Sequence, residues 1–122
     1  MKVLIVQADR ILAGRWSKHL EHNGADVRIV ADQESATRLM QTEEVDVIVL
    51  DLMLASGSAL AVADFASYRR PDCRVVFVTD SPVFSDGSIF QHCANACAYL
   101  PSATAPADLA AMIEHYGARC AV

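Results

Sequence analysis

Residues 45–62 read VDVIVLDLMLASGSALAV, and this stretch decides the fold. Its first part, Val45–Leu50, is a continuous apolar run rich in valine, which is typical of a strand buried on both faces of a parallel sheet. Asp51 follows at once, and a loop then leads into a helix of small residues. Functional groups lie beyond the carboxyl ends of such strands, so Asp51 is the first candidate functional residue.

Short apolar runs alternate with amphipathic stretches along the whole chain. Strands are predicted at Lys2–Val6, Asp26–Val30 (an edge strand), Val45–Leu50, Arg74–Thr79 and Ala96–Leu100. Five helices are predicted. The first covers residues 10–22 and stops at Asn23-Gly24, the second begins at Asp32 or Ser35, and the third ends at residues 68–70. The fourth is a weak helix over 82–94, and the last runs from Pro106 to Gly117. This alternation indicates parallel βαβ units with right-handed crossovers, and five units make a doubly wound, three-layer α/β sandwich.

Length and composition limit the function classes. The chain has 122 residues, enough for a single domain over residues 1–122, and 53% are hydrophobic, which excludes disorder. Fifteen acidic against ten basic residues give a net charge of −5, which argues against a nucleic-acid surface. No apolar run is long enough for a membrane span or fits a secretory signal, so we expect a soluble cytoplasmic protein.

Asp51 has two interpretations at this point. A carboxylate at the mouth of a parallel sheet can act as a nucleophile toward a phosphoryl donor and form an aspartyl phosphate. That reaction needs a divalent cation held by other carboxylates, and a cation or hydroxyl for the remaining phosphoryl oxygens. The other interpretation is that Asp51 only caps the turn that follows the strand.

The stretch around Asp51 resembles the phosphoacceptor segment of bacterial response-regulator receiver domains. The resemblance continues in KVLIVQADR (2–10), in VVFVT (75–79) and in NACAYLPSATAPADL (95–109), with family spacing throughout. It implies a flavodoxin-like (βα)5 sandwich with strand order 2-1-3-4-5. It also implies that Asp51 is the phosphoacceptor position, that Thr79 is the switch hydroxyl, and that Tyr99 is the switch aromatic.

The acidic pair that holds magnesium in receiver domains is absent from its usual place. Gln7 and Ala8 stand where two aspartates normally follow the first strand. Asp9 is the nearest carboxylate, but a displacement of one residue at a strand end directs its side chain elsewhere. We therefore expect no cofactor, or weakly bound Mg²⁺ at Asp51 and Asp9, because magnesium demands near-ideal octahedral geometry.

Two more positions depart from the family pattern. Ser102 replaces the lysine that pairs with the acceptor carboxylate, and the chain has no lysine after Lys18 to substitute for it. Asp80 follows Thr79 where a small residue is usual. It is either a relocated metal ligand with Asp9 and Asp51, or, in the simpler interpretation, a helix N-cap.

These departures favour an atypical receiver, or pseudo-receiver: a non-enzymatic signalling and protein-interaction module that conventional magnesium-dependent phosphorylation does not switch. The alternative is a functional single-domain receiver phosphorylated on Asp51 by a histidine kinase, and a third is a small-molecule binder on the same scaffold. By the resemblance, the histidine kinase or downstream target binds the face of the fourth helix, fifth strand and fifth helix, through which homodimerisation is also a hypothesis. That face includes Val83, Phe84, Ile89, Phe90 and Tyr99.

Overall fold

Strands and helices alternate along the residues that the computed structural model describes, which are 1–51, 57–69, 73–79, 96–101 and 104–120. The strands are β1 (Lys2–Val6), β2 (Asp26–Val30), β3 (Val47–Asp51), β4 (Arg74–Thr79) and β5 (Ala96–Pro101). The helices are α1 (Arg10–His22), α2 (Gln33–Thr42), α3 (Ala59–Arg69) and α4 (Pro106–Cys120), and α4 is the fifth helix of the sequence prediction. The weak helix predicted over 82–94 lies outside the described residues. Among those described, no helix has the length and apolar character that crossing a bilayer requires.

The five strands form one parallel sheet in the order β2-β1-β3-β4-β5, which confirms the predicted doubly wound fold. Val6 of β1 lies opposite Leu50 of β3, and Leu50 in turn lies opposite Phe77 of β4. The winding direction reverses between β1 and β3. In doubly wound sheets the crevice beyond the carboxyl ends at this switch point is where ligands bind.

Helices cover both faces of the sheet and give the predicted three layers. β3 is buried along its whole length, as its apolar sequence predicted, whereas β2 is an edge strand with no buried residue. The face toward α2 and α3 is built around Leu4, Val6, Met40, Ile48, Val62 and Phe77. The opposite face, toward α1 and α4, is built around Val3, Ile5, Trp16, Leu20, Val49 and Ile113.

The ends of α1 and α2 follow from local chemistry. Asp9 is the N-cap of α1, and Asn23 and Gly24 end that helix as predicted, with Gly24 at a φ of +92°. Asp32 is the N-cap of α2, the first of the two predicted starts. Its Oδ1 accepts a hydrogen bond of 2.8 Å from the backbone N–H of Ser35, and the hydrogen bonds from Ser35 lower the pKa of Asp32.

The boundaries of three predicted elements are wrong, and the smallest difference is at the fifth strand, which extends one residue beyond Leu100 to Pro101. The third strand begins at Val47 rather than Val45 and includes Asp51. Val45 is nonetheless buried, with only 7% of the residue exposed, so it belongs to the apolar run although it lies outside the strand. The last helix continues through Gly117 to Cys120, because glycine inside a helix costs only about 1 kcal/mol and does not force it to end.

A tight contact fixes the chain at Gly57, just before the start of α3. Gly57 has a φ of +85°, a conformation that favours glycine, and a Cβ placed on it would lie 2.5 Å from Cβ of Gln33. The next residue, Ser58, donates its backbone N–H to Oε1 of Gln33 over 2.8 Å. The start of α3 is thereby attached to the first turn of α2.

Candidate functional site

Asp51 lies at the carboxyl edge of the sheet as the last residue of β3. The strand register pairs it with Val78 of β4, and its side chain is buried, with 8% of the residue exposed. Alternation along β3 places Asp51 on the same face as Val49, which is the face covered by α1 and α4. A buried carboxylate thus occupies the strand end where the sequence predicted a phosphoacceptor.

Gln7 lies beside Asp51 across the switch point. Val6 and Leu50 are partners in the register, so the next residues of the two strands, Gln7 and Asp51, follow side by side about 5 Å apart. The backbone N–H of Gln7 donates to the carbonyl of Val30 over 2.9 Å, which continues the β1–β2 ladder by one residue. The structure therefore holds Gln7 in strand-like geometry where receiver domains normally carry an acidic residue.

The side-chain amide of Gln7 has one satisfied end and one unsatisfied end. Gln7 is 3% exposed, and its Oε1 accepts a hydrogen bond of 3.1 Å from the backbone N–H of Asp9. That contact identifies the oxygen end of the amide, because a backbone N–H needs an acceptor. Nε2 is buried and has no hydrogen-bond partner among the described residues.

The carboxylate of Asp9 serves the helix that follows it. Its Oδ1 accepts hydrogen bonds from the backbone N–H groups of Ile11, at 3.0 Å, and Leu12, at 3.2 Å. These are two of the N–H groups that the first turn of a helix leaves without partners. Asp9 therefore acts as a helix cap, and Ala8 beside it has no polar side chain.

The other predicted site positions are described only in part. The backbone of Thr79 ends β4 opposite Pro101, and Tyr99 lies within β5 opposite Phe77, so both strand placements are as the sequence predicted. Their roles as switch hydroxyl and switch aromatic stay predictions. Asp80 and Ser102 lie outside the described residues.

The family model of the response regulator receiver domain matches residues 3–114 of the chain. The chain belongs to this family. The cyclic di-GMP phosphodiesterase of Thermotoga maritima is 33% identical over 96 residues, which are 79% of this chain and 25% of that protein. The photosynthetic apparatus regulatory protein RegA of Cereibacter sphaeroides is 30% identical over 77 residues, which are 63% of this chain and 42% of that protein. The receiver domain thus spans less than half the length of these two relatives.

A solved structure shows the same fold. The CheY-like receiver domain protein of Methanospirillum hungatei aligns with a TM-score of 0.89 over 98% of this chain and 95% of its own. The two sequences are 22% identical, so the likeness concerns the fold. It agrees with the flavodoxin-like architecture that the sequence predicted for this receiver domain.

The described residues of this receiver domain do not fit a magnesium ion. Mg²⁺ takes an octahedron of oxygen ligands, and the corner offers the carboxylate of Asp51 and one amide oxygen, Oε1 of Gln7, which already accepts from Asp9. The free end of the Gln7 amide is a donor. Within the described ranges, no three His, Cys, Asp or Glu side chains are grouped closely enough to hold a metal.

A cavity of about 300 Å³ opens beside Gln7, between the first turn of α1 and the carboxyl end of β2. It is lined by Gln7, Arg10, Ile29, Val30 and Ala31. A small-molecule crevice at the strand ends was expected from the sequence only in general terms, not at this position. A polar amide directly after an apolar strand is the one signal in the sequence that points to it.

Proposed function

We propose that this receiver domain is a pseudo-receiver, a signalling and protein-interaction module that magnesium-dependent phosphorylation of Asp51 does not switch. The observation that carries the proposal is the pair of side chains next to Asp51. Gln7 presents a buried amide donor, and the carboxylate of Asp9 is used to cap α1. Phosphoryl transfer relies on cations that neutralise developing charge, and this corner carries Gln7 and Ala8 where receiver domains have the acidic pair that holds the metal.

The absence of a coupling lysine supports the same proposal. Receiver domains carry a lysine at the position of Ser102, and the only lysines in this sequence are Lys2 and Lys18. Lys2 lies at the beginning of β1, at the opposite edge of the sheet from Asp51. Lys18 lies in the third turn of α1 and is exposed. Neither lysine is placed at the carboxyl end of β5.

A magnesium titration tests the metal part of the proposal. Amide resonances of Gln7 and Asp51 are followed by ¹H–¹⁵N NMR while Mg²⁺ is added to the wild-type chain and to the double variant Gln7→Asp/Ala8→Asp. We expect saturable shifts in the variant, because two carboxylates return beside Asp51, and no saturable shift in the wild type over the same range. The same titration is repeated with Ca²⁺, a second cation of the same charge. Tight, saturable magnesium binding to the wild type at these amides would refute the proposal.

A second candidate function is retained because Asp51 keeps its buried place at the end of β3. In that case the chain is a working single-domain receiver that takes a phosphoryl group from a histidine kinase. Thr79 at the end of β4 and Tyr99 within β5 are compatible with it. A stable phosphoryl group found on Asp51, and lost in Asp51→Asn, would favour this candidate over the pseudo-receiver.

The partners we propose are signalling proteins, either a histidine kinase or a downstream target. The binding face would combine residues 82–94 with β5 and α4, and homodimerisation through the same face is tested by sedimentation at high protein concentration. We propose no enzymatic activity for the chain itself, and no cofactor beyond weakly bound Mg²⁺. The phosphodiesterase activity named for the Thermotoga maritima relative is not carried over, because the match covers 25% of that protein.

A further inference from the structure

β2 leaves one edge of the sheet without a neighbouring strand in the part of the chain that the structure describes. None of its five residues, Asp26–Val30, is buried. An edge strand presents backbone N–H and C=O groups that can pair with a strand of another chain. The outer side of β2 is therefore a candidate interaction surface, and it lies at the opposite end of the sheet from β5.

The hydrogen bonds at the two ends of β2 show which backbone groups face outward. The N–H of Asp26 donates to the carbonyl of Met1 over 2.9 Å, and the carbonyl of Val30 accepts from the N–H of Gln7 over 2.9 Å. In a strand, successive residues direct their backbone groups to opposite sides. The even-numbered residues of β2 therefore bond to β1, and Val27 directs its N–H and C=O toward the open edge.

An ion pair lies beside these outward-facing groups. Nη1 of Arg28 is 2.8 Å from Oδ1 of Asp26, Nε is 3.6 Å from Oε1 of Glu43, and the side chains of Arg28 and Asp26 are both 50% exposed. Nη1 is also 3.5 Å from the carbonyl oxygen of Val27, which is too long for a strong hydrogen bond. A half-exposed negative charge and a half-exposed positive charge thus flank Val27 on one face of β2.

This order of charges is complementary to itself. When two copies of β2 run antiparallel about a two-fold axis at Val27, Asp26 of each copy lies opposite Arg28 of the other. The two copies of Val27 exchange N–H···O=C hydrogen bonds, and the two Asp–Arg pairs occupy the positions where opposing side chains lie closest. Ile29, which is 44% exposed, lies opposite Ala25 of the second copy. An axis at Arg28 would instead place two like charges opposite each other, which is unfavourable.

We propose that β2 pairs with β2 of a second copy of this chain, antiparallel and with the two-fold axis at Val27. The two five-stranded sheets then form one continuous sheet. This surface is separate from the partner face of residues 82–94, β5 and α4, and from Asp51, so it does not depend on phosphorylation. A strand of five residues buries little area, and such interfaces are weak, so dimers are sought at chain concentrations up to about 1 mM.

Charge reversals on β2 test the proposal by sedimentation equilibrium. Asp26→Arg and Arg28→Asp each make both cross-strand pairs like-charged, so each variant alone should dimerise at least about tenfold more weakly than wild type. An equimolar mixture of the two variants should recover the dimer, because the two cations of one copy then face the two carboxylates of the other. Arg38→Asp is the matched control. It makes the same change of charge in the exposed ion pair with Glu34 on α2, and should keep the dimer within about twofold of wild type.

A proline on β2 tests the backbone part of the pairing. Val27→Pro removes an N–H that faces the open edge and no bond to β1, so the variant should fold and lose the dimer, whereas Val27→Ala keeps the N–H and should retain it. A wild-type chain that stays monomeric at about 1 mM would overturn the proposal. So would a dimer that the two charge reversals weaken no more than Arg38→Asp does, because that dimer uses another face, or a mixture of the two variants that stays monomeric.

Discussion

Replacing Gly57 by alanine tests how the chain after Asp51 is attached to α2. Two costs add at this position. An L-residue at a φ of +85° costs about 1 kcal/mol. The new Cβ would also lie 2.5 Å from Cβ and 2.6 Å from Oε1 of Gln33, so that side chain must move. Its hydrogen bond with the N–H of Ser58 is then lost, at about 1 kcal/mol or more.

The sum predicts that Gly57→Ala lowers the free energy of unfolding by about 2–3 kcal/mol, or the melting temperature by roughly 10 °C for a domain of this size. Two other glycines provide matched controls. Gly24 has a φ of +92° but no atom within 4 Å of an added Cβ, so Gly24→Ala should cost about 1 kcal/mol. Gly14 lies inside α1 with open space around it, and Gly14→Ala should stabilise by about 0.5–1 kcal/mol.

Thermal and urea denaturation of the three variants measure the change in the free energy of unfolding that each substitution causes. The expected order, from most to least stable, is Gly14→Ala, Gly24→Ala, Gly57→Ala. If Gly57→Ala lost no more stability than Gly24→Ala, the contact with Gln33 would contribute nothing and the reasoning would be refuted.

Three further predictions concern the caps and the core. Asp9→Ala is expected to lower the free energy of unfolding in urea by about 1 kcal/mol, and Asp9→Ser, which keeps a capping oxygen, by less; equal losses would contradict the capping role. Met40→Ala removes a fully buried side chain and should cost about 2–5 kcal/mol in the same assay, whereas a loss below about 1 kcal/mol would contradict its packing. Because hydrogen bonds from Ser35 lower the pKa of Asp32, its stabilisation is complete above the unfolded value of 3.8 and is lost as pH falls through the folded pKa. Stability should therefore fall more steeply in wild type than in Asp32→Asn below pH 3.8, and parallel pH profiles would show that the shift is absent.

The fold was predictable because each strand carries its own signal. The apolar run before Asp51 indicates a strand that is buried on both faces, and the alternating pattern of Asp26–Val30 indicates an edge strand. A parallel sheet produces both patterns, because its central strands are covered by helices on both sides. The wrong boundaries arose where one sequence feature, an apolar residue or a glycine, occurs in two kinds of structure. Val45 is buried without being in a strand, and Gly117 lies within a helix, whereas Gly24 ends one because its φ is positive.

The candidate site was predictable in position and less so in detail. The sequence pattern placed Asp51 and Gln7 at the carboxyl ends of strands, the family resemblance gave Gln7 the place of a metal ligand, and the register that sets the two side by side comes from the structure. The periodicity of residues does not specify which end of an amide meets a neighbouring N–H, so the buried donor of Gln7 required the structure. The same limit applies to Asp9, whose displacement from the metal position was predicted but whose use as the N-cap of α1 was not.

The most direct test of the central claim is the intact mass of the full chain after incubation with acetyl phosphate and Mg²⁺. If the chain is a pseudo-receiver, we expect no gain of one phosphoryl group in the wild-type chain or in Asp51→Asn, which serves as the control for other sites. A receiver domain with an intact acidic pair and lysine, treated in parallel, shows that the reagent is active. A stable mass gain of one phosphoryl group in the wild type that disappears in Asp51→Asn would contradict the account.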